Sequence, residues 1–376
     1  METKTKEKRG LAAIFALCPR RWVLLALSAA LIALHLLTRR EHALMVRLSE
    51  GFVRPLHRAL SGFNARFPFS VAELLIALAV AAAAAYLAVQ IALLIKRPER
   101  AKRLFKTLLT FVSAVAAIYA LFCLMWGVYY YAGDFASKSG FVNEPVSVEQ
   151  LRTVTEFFAA GLNEYAPQVP RDGDGICRSD RRAILEKSPE VFAGTEEKYP
   201  CLAGPEVAAK GVVCSRVMSY IDFTGFFFPF TAEANVNTDS PECDFAATVA
   251  HELSHQRGVA REQEANFVAV LASLEYGDPD YCYSACMLAY IHLSNALWEV
   301  DPEGCREIYL SLDENVRRDL EYRRAYWRRF DTPVRSVSNT VYEGFLQSYD
   351  QELGLRSYGA CVDLLVNYYY DRAKAG

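Results

Sequence analysis

Three long apolar stretches in the first third of the chain constrain its fold more than any other feature. They cover residues 22–37, 71–95 and 107–131, and the second and third contain only one charged residue between them, Glu73. A helix of about 20 apolar residues is long enough to cross the hydrocarbon core of a bilayer. The sequence therefore predicts a membrane region of three transmembrane helices within residues 1–131, in contact with the lipid bilayer.

The first of these stretches leaves an alternative open. It is the shortest of the three and follows a basic segment, which is also the pattern of a cleaved signal peptide. No small-x-small cleavage pattern closes it. We therefore favour an uncleaved membrane anchor.

The distribution of basic residues predicts the orientation. Six Lys or Arg residues lie within residues 96–106, between the second and third spans, and six more precede the first span. Such clusters remain on the cytoplasmic side of a membrane. Three spans then place residues 132–376 on the other side, as the extracytoplasmic domain of a multi-pass protein of the cell membrane. Six arginines at lower density in the loop 39–70 weaken this prediction.

The loop between the first two spans has a helical apolar repeat. Its apolar residues recur at every fourth position, at Leu44, Leu48, Phe52, Leu56 and Leu60. This spacing predicts an amphipathic helix lying on the outer membrane surface. The alternative is a small helix that packs on protein.

Cysteine usage bears on the same orientation. Eight of the ten cysteines lie within residues 132–376, and an even number in an extracytoplasmic domain is consistent with disulfide bonds whose pairing the sequence does not define. Cys282 and Cys286, four residues apart on a predicted helix, could also bind a metal. Disulfide bonds to other segments or buried thiols are the simpler interpretation.

Residues 251–255, His-Glu-Leu-Ser-His, form an H-E-x-x-H motif. If this segment is helical, residues four apart lie one above the other, so His251 and His255 can direct two imidazole nitrogens at one Zn²⁺. Glu252 can then accept a proton from a water bound to the metal. The alternative is two hydrogen-bonded histidines on a half-buried helix.

The residues around the motif indicate that it is helical. Ser240 is a natural N-cap, Pro241 suits the first helical position, and Gly258 can end the helix in the left-handed conformation. A second apolar-periodic segment follows this turn and begins with Glu262 and Glu264.

One of these two glutamates is expected to complete the zinc site. They are two residues apart, about 200° around a helix, so they cannot both face the metal. Glu264 is continued by the apolar residues Phe267, Val268 and Leu271, which we expect to pack toward the motif helix. Glu264 is therefore the preferred third ligand. Glu262 is the second choice, with a capping or supporting role as its alternative.

Two segments rich in β-branched and aromatic residues, 215–223 and 226–237, are predicted strands, and the second leads directly into the motif helix. Asn235 and Asn237 are polar positions in this otherwise apolar strand. We expect them on a strand edge that receives a peptide or protein substrate, with asparagines in a turn as the alternative. Beyond residue 277 the pattern is helical over 281–300, 315–330, 338–349 and 357–370.

Charge excludes some functions. The net charge is -3, and the arginine-rich stretch 317–329 is interleaved with acidic residues, as in a solvated helix face. We therefore expect no nucleic-acid partner. The sequence also contains no glycine-rich phosphate loop and no G-x-S-x-G nucleophile motif.

The chain contains FTAEANVNT, then HELSHQRG followed by REQEANF, and finally SYG at 357–359. With these runs it resembles an uncharacterised family of bacterial membrane-bound proteins that are regarded as zinc metallopeptidases. The similarity covers nearly the whole chain. The E-A-N run is also similar to that of other H-E-x-x-H peptidases in which its glutamate is the third zinc ligand, which implies Glu264. Arg261 stands where the H-E-x-x-H-x-x-G-x-x-H subclass has its third histidine, so the resemblance does not extend to that subclass.

These observations together predict three transmembrane helices over 1–131, followed by a mainly α (α+β), zincin-like metallopeptidase domain over 132–376. We expect a small β-sheet beside the H-E-x-x-H helix. The expected activity is zinc-dependent hydrolysis of peptide bonds by a metal-activated water. The alternative is a zinc-binding extracytoplasmic sensor or binding protein without catalytic activity.

Overall fold

The computed structural model describes residues 15–96, 98–141, 144–349 and 358–375. The chain divides into two compact units. One comprises the residues up to Val53 together with Glu73–Ala132, and the other comprises Arg54–Ala72 together with the chain from Gly133 onward. The segment Arg54–Ala72, which lies before the second apolar helix in sequence, thus belongs to the unit that contains the H-E-x-x-H motif.

Within the described residues, three helices are long and apolar enough to cross a membrane, as the sequence predicts. They are Pro19–Thr38, Val71–Lys96 and Arg100–Met125. The third ends earlier than expected, and Gly127–Tyr131 continues as a 3₁₀ turn. Glycine and a run of aromatic residues have low helix propensity, which accounts for the earlier end.

The predicted single amphipathic helix is interrupted. The segment forms the helix His42–Leu48, a π-helical turn Ser49–Val53 and the helix Arg54–Asn64. The last of these buries only polar residues, His57, Ser61 and Asn64. A helix that buries its polar side and exposes apolar residues differs from a helix on the surface of a water-soluble protein, in which the apolar stripe is buried. Its location on the membrane surface remains a prediction.

The second unit is mainly helical. Its helices from Gly133 onward are Phe135–Ser139, Val148–Tyr165, Arg181–Lys187, Ala193–Lys198, Ser215–Tyr220, Glu242–Gln256, Glu262–Tyr276, Pro279–Val300, Pro302–Ser311, Glu314–Arg328, Pro333–Ser348 and Tyr358–Ala375. We call Glu242–Gln256 the motif helix, Glu262–Tyr276 the adjoining helix and Pro333–Ser348 the flanking helix.

A three-stranded sheet accompanies these helices. Its strands are β1 (Lys210–Val212), β2 (Gly225–Phe228) and β3 (Glu233–Asn237), in the order β1-β3-β2. β1 pairs with β3 in parallel, with Lys210 opposite Asn235, whereas β2 pairs with β3 antiparallel, with Gly225 opposite Val236. The central strand β3 leads into the motif helix, so the predicted small sheet beside this helix is confirmed.

The two predicted strands need correction. Residues 215–220 form a short helix, in which Met218 and Ser219 are buried, so packing overrides the strand propensity of this segment. Residues 226–237 do not form one strand, because the chain turns between β2 and β3. This turn contains Pro229, which lacks an N–H for sheet pairing, and Ala232, which has a positive φ of 54°.

The motif helix lies at the centre of the core, and 12 of its 15 residues are buried. Its small residues Ala246 and Ala250 are fully buried, which allows neighbouring helices to approach closely. The predicted N-cap shifts by one residue, because Pro241 occupies the cap and the Ser240 hydroxyl instead donates to the carbonyl of Asn237. Gly258 has a φ of 85° and ends this segment as expected.

None of the ten cysteines forms a disulfide bond in the structure, so the predicted disulfide bonds are absent. Most of the cysteines are buried in helices or in the core, and Cys214 is exposed. Cys282, for example, directs its thiol to the carbonyl of Ser273 rather than to another cysteine. The cysteines therefore give no support to either orientation of the second unit.

Candidate metal centre

The motif helix brings the imidazoles of His251 and His255 together. Their Nε2 atoms lie 3.1 Å apart. The Nδ1 atom of His255 lies 2.6 Å from the carbonyl of Val259, which follows the turn at Gly258. Because a carbonyl can only accept, Nδ1 carries the proton of the neutral ring and Nε2 keeps the lone pair that a metal ion requires. This second hydrogen bond is typical of metal-binding histidines.

Glu262 supplies the third polar group. It is the first residue of the adjoining helix, and its Oε2 atom lies 3.2 Å from Nε2 of His251 and 3.6 Å from Nε2 of His255. Within the described residues, His251, His255 and Glu262 are the one group of three or more such side chains close enough to hold a metal ion.

The three facing atoms form a nearly equilateral triangle with sides of 3.1, 3.2 and 3.6 Å. Ligands at about 2.0–2.1 Å from a tetrahedral Zn²⁺ are about 3.3–3.4 Å from one another. The triangle therefore has the dimensions of one face of a tetrahedral zinc site. Two imidazoles and a carboxylate are also a common ligand set for catalytic zinc.

The charges of this group favour a cation. Burial lowers the pKa of His255, but the Glu262 carboxylate, together with Glu252 and the Val259 carbonyl, outweighs burial and raises this pKa to about 9. Burial would raise the pKa of Glu262, but the attraction and hydrogen bonds of the two histidines hold it well below its usual range. The carboxylate is thus poised next to positive charge, and a metal ion can take the place of the histidine proton.

Glu252 lies close enough to these three side chains to interact electrostatically with each of them, and it is almost fully buried. Burial raises its pKa to about 7, opposed by His251 and His255. Within the described part of the chain, its Oε2 atom has no hydrogen-bond partner. A buried carboxylate oxygen without a partner is costly and rare in folded proteins, so it marks a position where a ligand or water belongs.

Gly225, the first residue of β2, makes room for this carboxylate. A β-carbon at Gly225 would lie 2.5 Å from Oε1 and 2.8 Å from Cδ of Glu252. No residue other than glycine fits against Glu252 without a shift of the strand or of the side chain. No motif in the sequence marks Gly225 as a residue of the site.

The placement of Glu264 corrects our first choice of third ligand. Its Oε1 atom accepts a hydrogen bond from the backbone N–H of Phe135 at 3.1 Å, so the carboxyl group faces away from the two imidazoles. Phe267, the first residue of the apolar stripe that we expected against the motif helix, packs instead against the rings of Phe135, Phe141 and Tyr368. The second choice, Glu262, occupies the position beside the histidines.

The positions of Asn235 and Asn237 also differ from the predicted ones. Both are fully buried and lie on β3, which is the central strand of the sheet and has no free edge. The amide of Asn235 donates to the carbonyl of Glu233, and that of Asn237 donates to Phe223 O and to Ser219 Oγ. These contacts assign both side chains to the sheet and the loops around it, and not to a substrate edge.

Tyr342 belongs to the site and was missed in the sequence. Its hydroxyl donates to Oε1 of Glu262 at 2.6 Å, across a separation of 80 residues. No local pattern marks this tyrosine among the 21 in the chain. His292 is buried, and burial with a smaller effect of Arg323 lowers its pKa to about 4.

Comparison with known proteins gives a family but no activity. A profile described as "Protein of unknown function (DUF3810)" matches residues 48–366. No curated protein and no solved structure matches. The resemblance noted in the sequence is thus confirmed at the level of a family of unknown function, in a chain with apolar N-terminal helices and a His-His-Glu group. Because the match covers most of its length, the chain belongs to the DUF3810 family.

Proposed function

We propose that this protein is a membrane-anchored zinc metallopeptidase with a zincin-like catalytic unit. The observation that carries the proposal is the triangle of His251, His255 and Glu262, which has the dimensions of a tetrahedral zinc face. These three residues would hold the ion. Three protein ligands leave a fourth position for water, whereas a structural zinc site usually has four protein ligands.

Glu252 is the proposed general base. It follows His251 directly in the motif helix, and its Oε2 atom lacks a partner within the described residues. When bound, zinc would lower the pKa of a water molecule and polarise the scissile carbonyl. Glu252 would take the proton from that water and pass it to the leaving amine.

The outer strand β2 is the proposed docking edge for an extended peptide. The backbone N–H of Asn237 donates to the carbonyl of Thr224 at 2.8 Å. Because alternate residues of a strand point their backbone groups to opposite sides, Gly225 and Phe227 point theirs away from β3. Gly225 is also the residue that contacts Glu252. A peptide paired with this edge would therefore lie beside the proposed base.

The test is cleavage of a broad peptide library by the full-length protein, purified in detergent and loaded with zinc. We expect cleavage that a chelator removes and added Zn²⁺ restores. Zinc bound at one equivalent without any cleavage would overturn the peptidase and favour the zinc-binding sensor or binding protein. Cleavage that a chelator does not affect would overturn the zinc site.

We further propose that the second unit is extracytoplasmic, on the strength of the Lys/Arg clusters at residues 96–106 and before residue 22. The exposed thiol of Cys214 allows a direct test. A membrane-impermeant maleimide should label intact spheroplasts that carry the native protein, and Cys214→Ser should lose most of the label. Labelling that appears only after lysis would place this unit in the cytoplasm.

A further inference from the structure

The Glu262 carboxylate divides its two oxygens between two different partners. Oε2 faces the imidazoles of His251 and His255, at 3.2 and 3.6 Å. Oε1 accepts a hydrogen bond of 2.6 Å from the hydroxyl of Tyr342. A short hydrogen bond to an ionised acceptor is among the stronger hydrogen bonds in proteins.

The packing of the flanking helix fixes Tyr342 in this place. The ring of Tyr342 lies edge-on to Phe223, with centroids 5.2 Å apart. One turn earlier on the same helix, Ser338 donates to Ile221 O at 2.9 Å and Asn339 donates to Asp222 Oδ2 at 3.0 Å. The flanking helix is thus attached to residues 221–223, which lead into β2, and it presents the Tyr342 hydroxyl to Glu262.

Asp222 makes this attachment specific. It has a positive φ of 64°, a backbone conformation that residues other than glycine adopt infrequently. Its carboxylate is held by Arg335 at 2.9 Å as well as by Asn339. These contacts from the flanking helix stabilise the loop in the shape that brings Phe223 against Tyr342.

We propose that Tyr342 is a positioning residue that restricts Glu262 to a single oxygen as a metal ligand. A carboxylate can bind a cation through one oxygen or through both. With Oε1 engaged by Tyr342, only Oε2 is available to an ion held by the two histidines. The fourth position then stays open for water, a consequence that rests on the proposed zinc peptidase. The hydroxyl also holds the Glu262 side chain in one rotamer, which reduces the entropy lost when a metal binds.

The first test is the affinity of the full-length protein for Zn²⁺, measured by competition with a chromophoric chelator. Tyr342→Phe keeps the ring against Phe223 and removes only the hydroxyl. We expect it to weaken zinc binding about 10- to 100-fold, the usual effect of removing a side chain that supports a metal ligand. Thr340→Ala is the matched control, because it also removes a hydroxyl from the same helix, one whose hydrogen bond to Ser336 O at 2.9 Å stays within that helix. We expect this control to bind zinc as the native protein does.

The second test is the coordination number, measured with Co²⁺ in place of zinc, because four-coordinate Co²⁺ absorbs visible light much more strongly than five-coordinate Co²⁺. We expect strong visible bands from the native protein and from Thr340→Ala, and weaker bands from Tyr342→Phe, in which Glu262 can use both oxygens. This readout would not respond to a merely structural role of Tyr342.

Unchanged affinity and an unchanged Co²⁺ spectrum in Tyr342→Phe would overturn the inference. An equal loss of affinity in Thr340→Ala would also overturn it, because the effect would then not depend on the Tyr342 hydroxyl. Unfolding temperatures of the metal-free proteins separate these cases from misfolding of a variant. Both readouts measure metal binding and not cleavage. A protein that binds zinc but cleaves no peptide would therefore refute the proposed peptidase, while the zinc affinities and Co²⁺ spectra of the variants would still decide the role of Tyr342.

Discussion

The candidate metal centre and the core of the second unit each contain a buried glutamate, and the two glutamates have similar pKa values. Burial is the largest influence on both Glu252 and Glu264, and it raises the pKa of each to about 7. Both are almost fully buried. A search for unusual carboxyl groups would therefore select the two residues equally.

Their surroundings differ. Glu264 has a backbone partner in Phe135 N–H, and Arg261 near it also opposes the rise of its pKa. Glu252 has an oxygen without a partner among the described residues, and a glycine that leaves room beside it. A perturbed pKa is thus a poor guide to a site by itself, and an unsatisfied atom next to an ordered set of ligands is a better one.

The largest expected effect is a loss of turnover that a variant of Glu252 shows and the matched variant of Glu264 does not. Glu252→Gln should reduce peptide cleavage by about 10²- to 10⁴-fold, because the amide cannot accept the proton, while bound zinc is retained. Glu264→Gln, the matched substitution in the core, should keep cleavage close to native. Turnover and zinc content are measured on the same preparations.

Two results would break this contrast. Glu252→Gln with near-native turnover would remove Glu252 from the chemistry. Glu264→Gln with the same loss as Glu252→Gln, in a protein that still folds and binds zinc, would show that the core carboxyl serves the reaction as well.

The next effect concerns zinc affinity at the start of the adjoining helix. Glu262→Ala removes the oxygen that lies 3.2 Å from His251 Nε2, so zinc binding should weaken by more than about 100-fold, beyond the usual effect of a supporting residue. Glu264→Ala should leave the affinity nearly unchanged. The reverse pattern, with the metal lost only in Glu264→Ala, would restore the assignment that the sequence favoured.

A smaller effect is expected at Gly225. In Gly225→Ala the new methyl group would contact the Glu252 carboxylate at 2.5–2.8 Å, so either β2 or Glu252 must move. We expect turnover to fall about tenfold, since a shift of about 1 Å costs up to about 100-fold in rate, with zinc affinity retained. Gly344→Ala is the control, because a β-carbon there meets nothing within 4 Å. Equal turnover in the two variants would show that the close approach is unimportant.

The sequence predicts those parts of the molecule that depend on neighbouring residues. The three apolar helices follow from hydropathy, which is a property of each segment alone. The pair His251 and His255 follows from the geometry of a single helix turn. The capping box of the helix Val148–Tyr165, formed by Ser147 and Gln150, is also local and is present in the structure.

The remaining parts depend on contacts between distant segments. The choice between Glu262 and Glu264 depends on how the adjoining helix is rotated against the motif helix, and the aromatic contacts of Phe267 with Phe135, Phe141 and Tyr368 accompany the rotation observed. Tyr342 reaches Glu262 from 80 residues away. Neither relation leaves a periodic signal in the sequence.

The smallest predicted effect concerns β3, where the Asn237 amide is a polar group of the core with hydrogen-bond partners. β1 has only three residues, a length that a sequence pattern does not reveal, yet its pairing makes β3 a central strand. The buried Asn237 amide donates to Phe223 O at 3.0 Å and to Ser219 Oγ at 2.9 Å. Asn237→Ala removes the donor to Phe223 O and the acceptor for the Asp239 N–H, which lies 2.9 Å from Asn237 Oδ1, so it should destabilise the protein by about 1–3 kcal/mol.

For a unit of this size, that loss corresponds to a fall in unfolding temperature of roughly 2–12 °C. KM for a peptide substrate, measured on the folded fraction, should stay at the native value, because the Asn237 side chain is enclosed by the sheet and its loops. A raised KM at an unchanged unfolding temperature would mean that β3 contacts substrate after all. The interpretation of Asn237 as a substrate-binding residue would then be correct, and the central strand would belong to the substrate site and not only to the core.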